Sequence, residues 1–341
     1  MGGSSYDRDV GTSSGGSFYS GGTSSSSAKE ALDRRYMDTE TSPNKRKVSS
    51  GAESPIVLAL DVTGSNIEFA RIVYDKAPMF YGQIEQTGYL KDFDVCFAAV
   101  GDAYSDSAPL QVCDFQKGIA LDDWLKKLYL EGNGGGQQTE SYELAAYYFG
   151  KHCSMPNAKT PYMFFIADEA PYPQAEKEII RKVAGTSERG DIDSNKVFSD
   201  LFTKFNGNVY VIQNGYGGRA WGSDSDRIRR EWLSYIGSDH DKNIIRVYEE
   251  KSVVDVMLGV IAITSGARTL EGYLADMHGR SQTKTRSNHV EKSIGGLAGM
   301  VTAPIVTATA APVTAAAPAP VTGALPTGKA AGSHKSGGKR I

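Results

Sequence analysis

The sequence predicts an α/β domain built on a doubly wound, mostly parallel six-stranded sheet flanked by helices. Short apolar runs alternate along the chain with segments whose apolar residues recur every three or four positions. This alternation is typical of buried strands that follow amphipathic helices. Stretches rich in Gly and Ser, or in Ala and Pro, flank the pattern at the two ends of the 341-residue chain. The folded region is therefore expected in the middle.

The elements follow one another in the order that such a sheet requires. Strands are predicted at residues 56–60, 93–100, 110–115, 162–167, 208–212 and 244–248. Helices are predicted at residues 67–84, 121–130, 142–152, 175–183, 196–205, 227–236 and 253–263. Pro78 lies inside the first helical pattern, so we expect it to kink or divide that helix.

An oxygen-rich cluster follows the first strand. Asp61, Thr63 and Ser65 occupy alternate positions, and alternate residues of an extended segment point the same way. Open α/β sheets place ligands at the carboxyl ends of their strands. Hard oxygen ligands with few charges suit Mg²⁺. In the alternative interpretation, Thr63, Ser65 or Asn66 simply caps the following helix.

Two later segments extend this pattern. A glycine-rich loop, residues 132–138, leads to Thr139 at the start of a helix, and the apolar strand at 162–167 is followed by Asp168. This layout, D-x-T-x-S followed by Thr and then Asp, resembles the metal-ion-dependent adhesion site (MIDAS) of the von Willebrand factor A (vWA) domain, intracellular prokaryotic type. The resemblance covers roughly residues 54–265 and implies a Rossmann-like fold with strand order 3-2-1-4-5-6.

The resemblance also implies a metal site and a function. Five residues would hold Mg²⁺ or Mn²⁺: Asp61, Thr63, Ser65, Thr139 and Asp168. An Asp or Glu of another protein would complete the coordination, which makes the domain a metal-dependent protein-binding module. Intracellular bacterial proteins with this domain often work with an AAA-type ATPase. The chain departs from the family in having Glu169 where Gly often follows the last Asp.

A different function stays open. The chain could be a structural or assembly protein whose tails and C-terminal extension carry the interactions and whose metal site is not essential. An enzyme is not expected, because no His lies in a motif that pairs it with a nucleophile or with Asp61. A hydrolase of the haloacid-dehalogenase type would need a second Asp at position 63, where this chain has Thr63.

Composition divides the chain into four predicted regions. Residues 1–50 form a disordered Gly/Ser-rich tail, 51–265 the vWA-like domain, 266–299 a basic helical or irregular extension, and 300–341 a disordered Ala/Pro-rich tail. Residues 48–292 carry 26 basic and 34 acidic side chains, whereas the last 49 residues carry four basic and none acidic. The acidic core makes nucleic acid an improbable main partner.

Three features predict a cytoplasmic protein that does not enter membranes. The three cysteines have no metal-ligand spacing, which is typical of reduced, buried thiols. No apolar run approaches the length of a membrane span. The N-terminus lacks the apolar segment of a secretory signal.

Several loops carry weaker predictions. The glycine-rich loop before Thr139 is either a switch that moves this residue relative to the metal or a plain connector. Loop 215–222 offers Tyr216, Arg219 and Trp221, either as an exposed binding surface or as packing against the sheet edge. Residues 43–48 and 266–292 are expected to be a solvated linker and a solvated extension, with a basic address and a docking arm as the alternatives.

Overall fold

The structure is a computed structural model that describes residues 37–132, 138–219 and 221–299. The predicted C-terminal tail and most of the predicted N-terminal tail lie outside these residues, as does the centre of the glycine-rich loop. Within the described residues, no helix is long and apolar enough to cross a membrane.

Six strands form one mixed sheet in the order 3-2-1-4-5-6, as expected, with only β3 antiparallel to its neighbour. The strands are β1 (Ser54–Asp61), β2 (Phe93–Val100), β3 (Leu110–Val112), β4 (Tyr162–Ala167), β5 (Val209–Gln213) and β6 (Ile244–Arg246). Every residue of β1 is buried, because this strand lies in the middle of the sheet with neighbours on both sides.

The helices are α1 (Ile67–Thr87), α2 (Ala120–Leu125), α3 (Tyr142–His152), α4 (Lys177–Ala184), α5 (Ser194–Lys204), α6 (Ser223–Ile236), α7 (Val253–Thr264), α8 (Leu270–Gly279) and α9 (Lys284–Ile294). Each helix predicted from the sequence has a counterpart within a few residues. The predicted helix at 121–130 is shorter in the structure, because the chain leaves the helix after Leu125.

Helices cover both faces of the sheet. Alternate residues of β1 enter two separate hydrophobic clusters, with Leu58 in one cluster and Val57 in the other. Buried side chains of α1 and α7 belong to the first cluster, whereas those of α3, α5 and α6 belong to the second. The period-two alternation of the strand therefore supplies two cores at once.

Helix α1 continues through Pro78 and is not divided there. Proline removes one backbone donor and crowds the preceding turn, which was the basis for expecting a break. Buried residues lie on both sides of this position, including Tyr74, Ala77 and Tyr81. Packing of this face against the core stabilises the helix on both sides of Pro78.

Residues 37–50 belong to the folded domain rather than to the tail, so the predicted boundary at residue 50 is too late. Val48 and Ser49 pair in parallel with Cys153 and Ser154. The Arg46 guanidinium donates hydrogen bonds to the Val112 carbonyl and to Asp114. These partners are distant in sequence, which is why the basic composition of residues 43–48 suggested a solvated linker.

The extension after α7 is also packed rather than solvated. Tyr273 and Met277 of α8 and Val290 and Ile294 of α9 are fully buried in the same cluster as α7. Gly259 of α7 makes this approach possible, because a Cβ there would collide with the side chains of Tyr273 and Ile294. Residues 266–299 therefore complete the first core.

The cysteines are buried, as predicted, and His152 is a packed side chain. Cys96, Cys113 and Cys153 are buried and form no disulfide. His152 is a packed ring between Tyr147 and Tyr148, with ring centroids 5.7 and 5.4 Å away. Burial lowers the pKa of His152, so the packed ring, and not a helix-terminal cation, is the role that the structure supports.

Candidate metal centre

Two buried carboxylates lie at the carboxyl ends of the two central strands. Asp61 is the last residue of β1, and Asp168 directly follows β4. The two strands are parallel neighbours, with Leu60 opposite Ile166, so both acids reach the same edge of the sheet. Both are inaccessible to solvent. The sequence correctly predicted that these acids share one edge.

The hydroxyls that follow Asp61 converge on it through a turn rather than through extended backbone. The chain bends after β1, and the backbone amide of Asn66 donates to the Thr63 carbonyl over 3.2 Å. The Asp61 Oδ1 atom accepts from the Thr63 amide at 2.9 Å and from Thr63 Oγ1 at 2.6 Å. Thr63 Oγ1 lies 3.5 Å from Ser65 Oγ. These side chains therefore meet because the chain turns after β1. The prediction had them point the same way from extended backbone.

Helix capping does not account for these side chains. Asn66 is the N-cap residue of α1, yet its side chain makes no capping hydrogen bond. Its side-chain amide instead donates to the Ile166 carbonyl of β4 at 3.4 Å. The Thr63 and Ser65 hydroxyls are directed at carboxylates, as their hydrogen bonds with Asp61 and Asp168 show.

Ser65 links the two halves of the site. Its hydroxyl donates to Asp168 Oδ1 over 3.2 Å, across 103 positions of sequence. Asp168 Oδ2 accepts from the backbone amide of Gly217 at 2.9 Å. Gly217 has φ of 60°, a left-handed conformation that favours glycine. Loop 215–222 therefore reaches the site through its backbone, a contact for which the sequence carries no side-chain signal.

Tyr142 is a second member of the site that the sequence analysis missed. Its hydroxyl donates to Asp61 Oδ2, the carboxylate oxygen that faces away from Thr63. The ring is fully buried between Phe165 and Trp232. Apolar packing of this kind looks like an ordinary core position in the sequence, so only the spatial arrangement identifies its polar role.

Thr139 lies at the same edge, although no hydrogen bond within the described residues joins it to Asp61, Ser65 or Asp168. Thr139 and Glu140 pair in parallel with Ala170 and Pro171, which follow Asp168 closely. The Thr139 hydroxyl interacts with that of Tyr172, and Tyr172 in turn donates to Asp102 at 3.0 Å. Four of the five predicted ligands are thus connected directly, and Thr139 lies beside them.

Two further acids, Glu140 and Glu169, are buried next to these residues. Their exposed fractions are 2% and 4%, so they belong to the interior of the site rather than to an acidic rim. Their carboxyls interact with each other. One oxygen of each, Oε2, is buried and has no hydrogen-bond partner in the part of the chain that the structure describes. Unpartnered buried carboxylate oxygens are costly and mark a place where a ligand could be accommodated.

Burial raises the pKa of all four acids, and the charge of Asp61 raises the pKa of the other three. Burial, and after it the charge of Asp61, raises the pKa of Asp168 well above its ordinary value. The same two causes raise the pKa of Glu140 to about 11 and that of Glu169 to about 8. Burial also raises the pKa of Asp61. Among the described residues, no Lys, Arg or His forms an ion pair with any of the four.

The available donors suit a hard cation. They are carboxylates and hydroxyls, the oxygen ligands that Mg²⁺ prefers. Within the described part of the chain, no three Asp, Glu, His or Cys side chains are grouped as a chelating set. An ion held here would therefore depend on the Thr63, Ser65 and Thr139 hydroxyls in addition to Asp61 and Asp168. The orphaned oxygens and the missing cationic partner make this donor set compatible with such an ion.

The neighbouring loops frame the site. Asp102 follows β2, is fully buried, and lies at the predicted edge, since Asp61 pairs with Val100. Gly132, at the start of the glycine-rich loop, donates its amide to the Val62 carbonyl at 3.0 Å. The loop is thus anchored beside the site at its first residue, and residues 133–137 lie outside the described range. A switch-like movement of Thr139 stays a prediction.

In loop 215–222, packing dominates over exposure. Trp221 contacts Tyr248 with ring centroids 5.9 Å apart, and the Arg246 guanidinium lies 4.9 Å from the Trp221 ring centre. Tyr216 packs against the second hydrophobic cluster. Only Arg219 is fully exposed among the three side chains proposed as a binding surface.

Comparison with known proteins identifies no family. No protein-family model and no curated protein matches the chain. Among solved structures, the pilus adhesin SpaC from Lactobacillus rhamnosus GG in its open conformation is 12% identical, with a TM-score of 0.44 over 69% of this chain and 34% of the adhesin. Proximal thread matrix protein 1 from the mussel byssus is 11% identical, with a TM-score of 0.40 over 62% of this chain and 48% of its own.

This chain thus spans about a third of the adhesin and about half of the matrix protein. Both TM-scores are below 0.5, so neither likeness informs the fold or the function.

Proposed function

We propose that the chain is a vWA-type protein-binding module that holds Mg²⁺ or Mn²⁺ at Asp61, Thr63, Ser65, Thr139 and Asp168. One observation carries this proposal: two buried carboxylates at adjacent strand ends are linked through the hydroxyls of Thr63 and Ser65 and have no cationic partner among the described residues. Taking ionised carboxylates out of water is unfavourable unless opposite charge compensates them. A divalent cation would supply that charge.

The surrounding residues have distinct roles in this proposal. Thr63 and Tyr142 hold Asp61 by donating to its two oxygens, and Gly217 holds Asp168 through its amide. These bonds orient the carboxylates before any ion arrives. A bound ion would supply positive charge and a coordination position for a carboxylate. Ser65 is exposed and Asp61 is buried, so a partner would approach from the side of Ser65.

Glu140 and Glu169 bear on which partner binds. They are buried acids beside the site, and their raised pKa favours the protonated form when no cation is present. A divalent cation would favour their ionised form and would also supply the positive charge that an acidic ligand needs. Binding of a partner's Asp or Glu would accordingly require the metal. The identity of the partner stays a prediction, including the AAA-type ATPase that the family resemblance implies.

Calorimetric titration of the full chain with Mg²⁺ and with Mn²⁺ tests the metal site. We expect binding by the parent and none by Asp61→Asn, which removes one charge while keeping a side chain of similar size. Asp94→Asn is the matched control. Asp94 is also buried and accepts from a hydroxyl, Ser50 Oγ at 2.8 Å, but it lies at the opposite end of the sheet. Equal binding by parent and Asp61→Asn would contradict the proposal.

Acetate serves as a probe for the open coordination position. With Mn²⁺ bound, water-proton relaxation should be enhanced by the parent and should decline as acetate displaces coordinated water. Metal binding without an effect of acetate would mean a structural ion rather than an adhesion site. Absence of metal binding would favour the alternative of an assembly protein whose tails and extension carry the interactions.

A further inference from the structure

A second candidate site lies beside β6, the edge strand of the sheet, and involves none of the residues of the metal centre. It is a cavity of about 360 Å³ between α6, β6 and α9. This volume is within the range of sites for small molecules, roughly 300–1,000 Å³. Four of the lining side chains are cationic, namely Arg229, Lys242, Arg246 and Lys292, and one, Asp241, is acidic.

The positive charge of this cavity is only partly neutralised by the chain itself. Arg229 is paired, since it donates to Asp241 Oδ1 at 2.8 Å and to the Ile244 carbonyl at 2.6 Å. Arg246 donates from one terminal nitrogen to Asp226, whereas its Nε is buried and has no hydrogen-bond partner among the described residues. The hydrogen-bonding capacity of this guanidinium is therefore only partly used within that part of the chain.

The two lysines are less constrained still. In residues 37–132, 138–219 and 221–299, neither Lys242 nor Lys292 has a carboxylate within ion-pair distance. The Lys292 ammonium lies 3.8 Å from the centre of the Tyr248 ring, a cation–π contact that holds it at the cavity. These cations come from separate elements of a domain whose overall charge is negative, so their convergence is local.

The walls between the charges are partly apolar. Tyr248 offers a ring, and Leu297, which is 1% exposed, closes one side from the turn after α9. A site that combines a few convergent polar groups with apolar walls is typical of small-molecule binding.

We propose that this cavity binds a small organic anion through Arg246, Lys242 and Lys292, with its phosphate or carboxylate oxygens at the cations and its body against Tyr248. The chain beyond the described residues offers no acidic side chain as an internal occupant on the C-terminal side. Residues 300–341 contain four basic side chains and no acidic one. That tail therefore supplies no acidic side chain to the cavity.

Calorimetry on the full chain at low ionic strength tests the proposal, with a chelator present so that the metal centre cannot contribute. Inorganic phosphate, adenosine monophosphate and citrate are the probes, and chloride at the same ionic strength is the reference. Tighter binding of adenosine monophosphate than of citrate would assign a phosphate ligand, and the reverse order a carboxylate ligand. Binding of none of the three in the millimolar range would overturn the proposal.

Substitutions of the two lysines test whether the anion binds in this cavity. Replacing both lysines, Lys242→Gln with Lys292→Gln, should weaken the best probe about tenfold or more, because two charged hydrogen-bond donors are lost. The matched control is Lys159→Gln with Lys196→Gln. Those two lysines are exposed and are paired with Glu53 and Asp200 elsewhere on the surface. Equal weakening by both double variants would mean diffuse attraction of anions and would contradict a defined site.

Discussion

Two regions of this molecule bury acidic side chains, and they treat them in opposite ways. Asp255 on α7 is 2% exposed and is paired with Arg286 Nε at 2.6 Å, with the Arg280 guanidinium 3.8 Å away. Asp61 and Asp168 are buried at least as deeply, but among the described residues they have only hydroxyls, amides and other acids for neighbours. Asp255 is thus neutralised by the chain itself, whereas the proposed function assigns the neutralisation of Asp61 and Asp168 to a ligand from outside.

The largest expected effect on stability comes from breaking the buried ion pair of Asp255 and Arg286. Arg286→Met would remove the closer of the two guanidinium groups that pair with Asp255, and the loss of one partner of a buried ion pair costs about 3–5 kcal/mol. We expect the free energy of unfolding, measured by urea titration, to fall by about 3 kcal/mol.

Arg268→Met is the control for that measurement. Arg268 pairs with Asp276 at 2.8 Å in the same extension, but both side chains are about a third exposed. Solvent screening limits such a pair to about 1 kcal/mol or less. Similar losses in the two variants would mean that burial does not separate the two pairs.

The second substitution is expected to raise the free energy of unfolding instead of lowering it. Without divalent metal, Asp168→Asn should raise the free energy of unfolding by about 1 kcal/mol or more, because burial and Asp61 raise the pKa of this carboxyl and make its charged form unfavourable. With Mg²⁺ in large excess the order should reverse, since a ligand at a hundred times its Kd stabilises the parent by about 2.7 kcal/mol.

Thermal and urea unfolding with and without Mg²⁺ measure this reversal. If Asp168→Asn is less stable than the parent in chelator, Asp168 has a structural role like that of Asp255, and the distinction between the two regions disappears.

The smallest effect is expected at Asp75, a half-buried acid outside both regions. Burial raises its pKa to about 6, and its Oδ1 has no hydrogen-bond partner. Because the folded-state pKa lies above the unfolded value of about 3.9, the native state binds more protons between pH 4 and 6. The stability that proton binding at Asp75 gives to the folded state is therefore lost as the pH rises through that window.

Asp75→Asn should remove this loss. We expect the variant to be more stable than the parent by up to about 1 kcal/mol at pH 7.5, after allowance for solvent screening, and equal to it near pH 4. Unfolding at the two pH values measures the difference. A constant difference at both would show that the substitution acts through packing and not through charge.

The sheet was largely predictable, and the reasons are local. The runs at 93–100 and 142–152 were predicted with the observed bounds, because each is a mostly apolar segment whose residues are almost all buried. Asp61 and Asp168 were placed at one edge for a similar reason. Each directly follows an apolar strand, and parallel neighbours end on the same side.

What the sequence did not reveal depends on distant contacts. The Tyr142 hydroxyl and the Gly217 amide donate to carboxylates 81 and 49 positions away, and neither residue type is by itself a sign of contact with a buried acid. The same holds for residues 43–48 and 266–299, whose basic, polar composition hides a few deeply buried anchors such as Tyr273 and Ile294. Average composition cannot detect single side chains that fill a core.

The packing of α8 and α9 has a consequence for how the chain matures on the ribosome. The first hydrophobic cluster contains Leu58 near the start of the domain and Leu297 near its end. Most of the sheet can be synthesised before those last helices emerge, and until then α7 presents an uncovered apolar surface. Domains generally fold as units during synthesis, and transiently exposed apolar surface invites aggregation. The nascent chain therefore has its most vulnerable interval just before its final helices leave the exit tunnel.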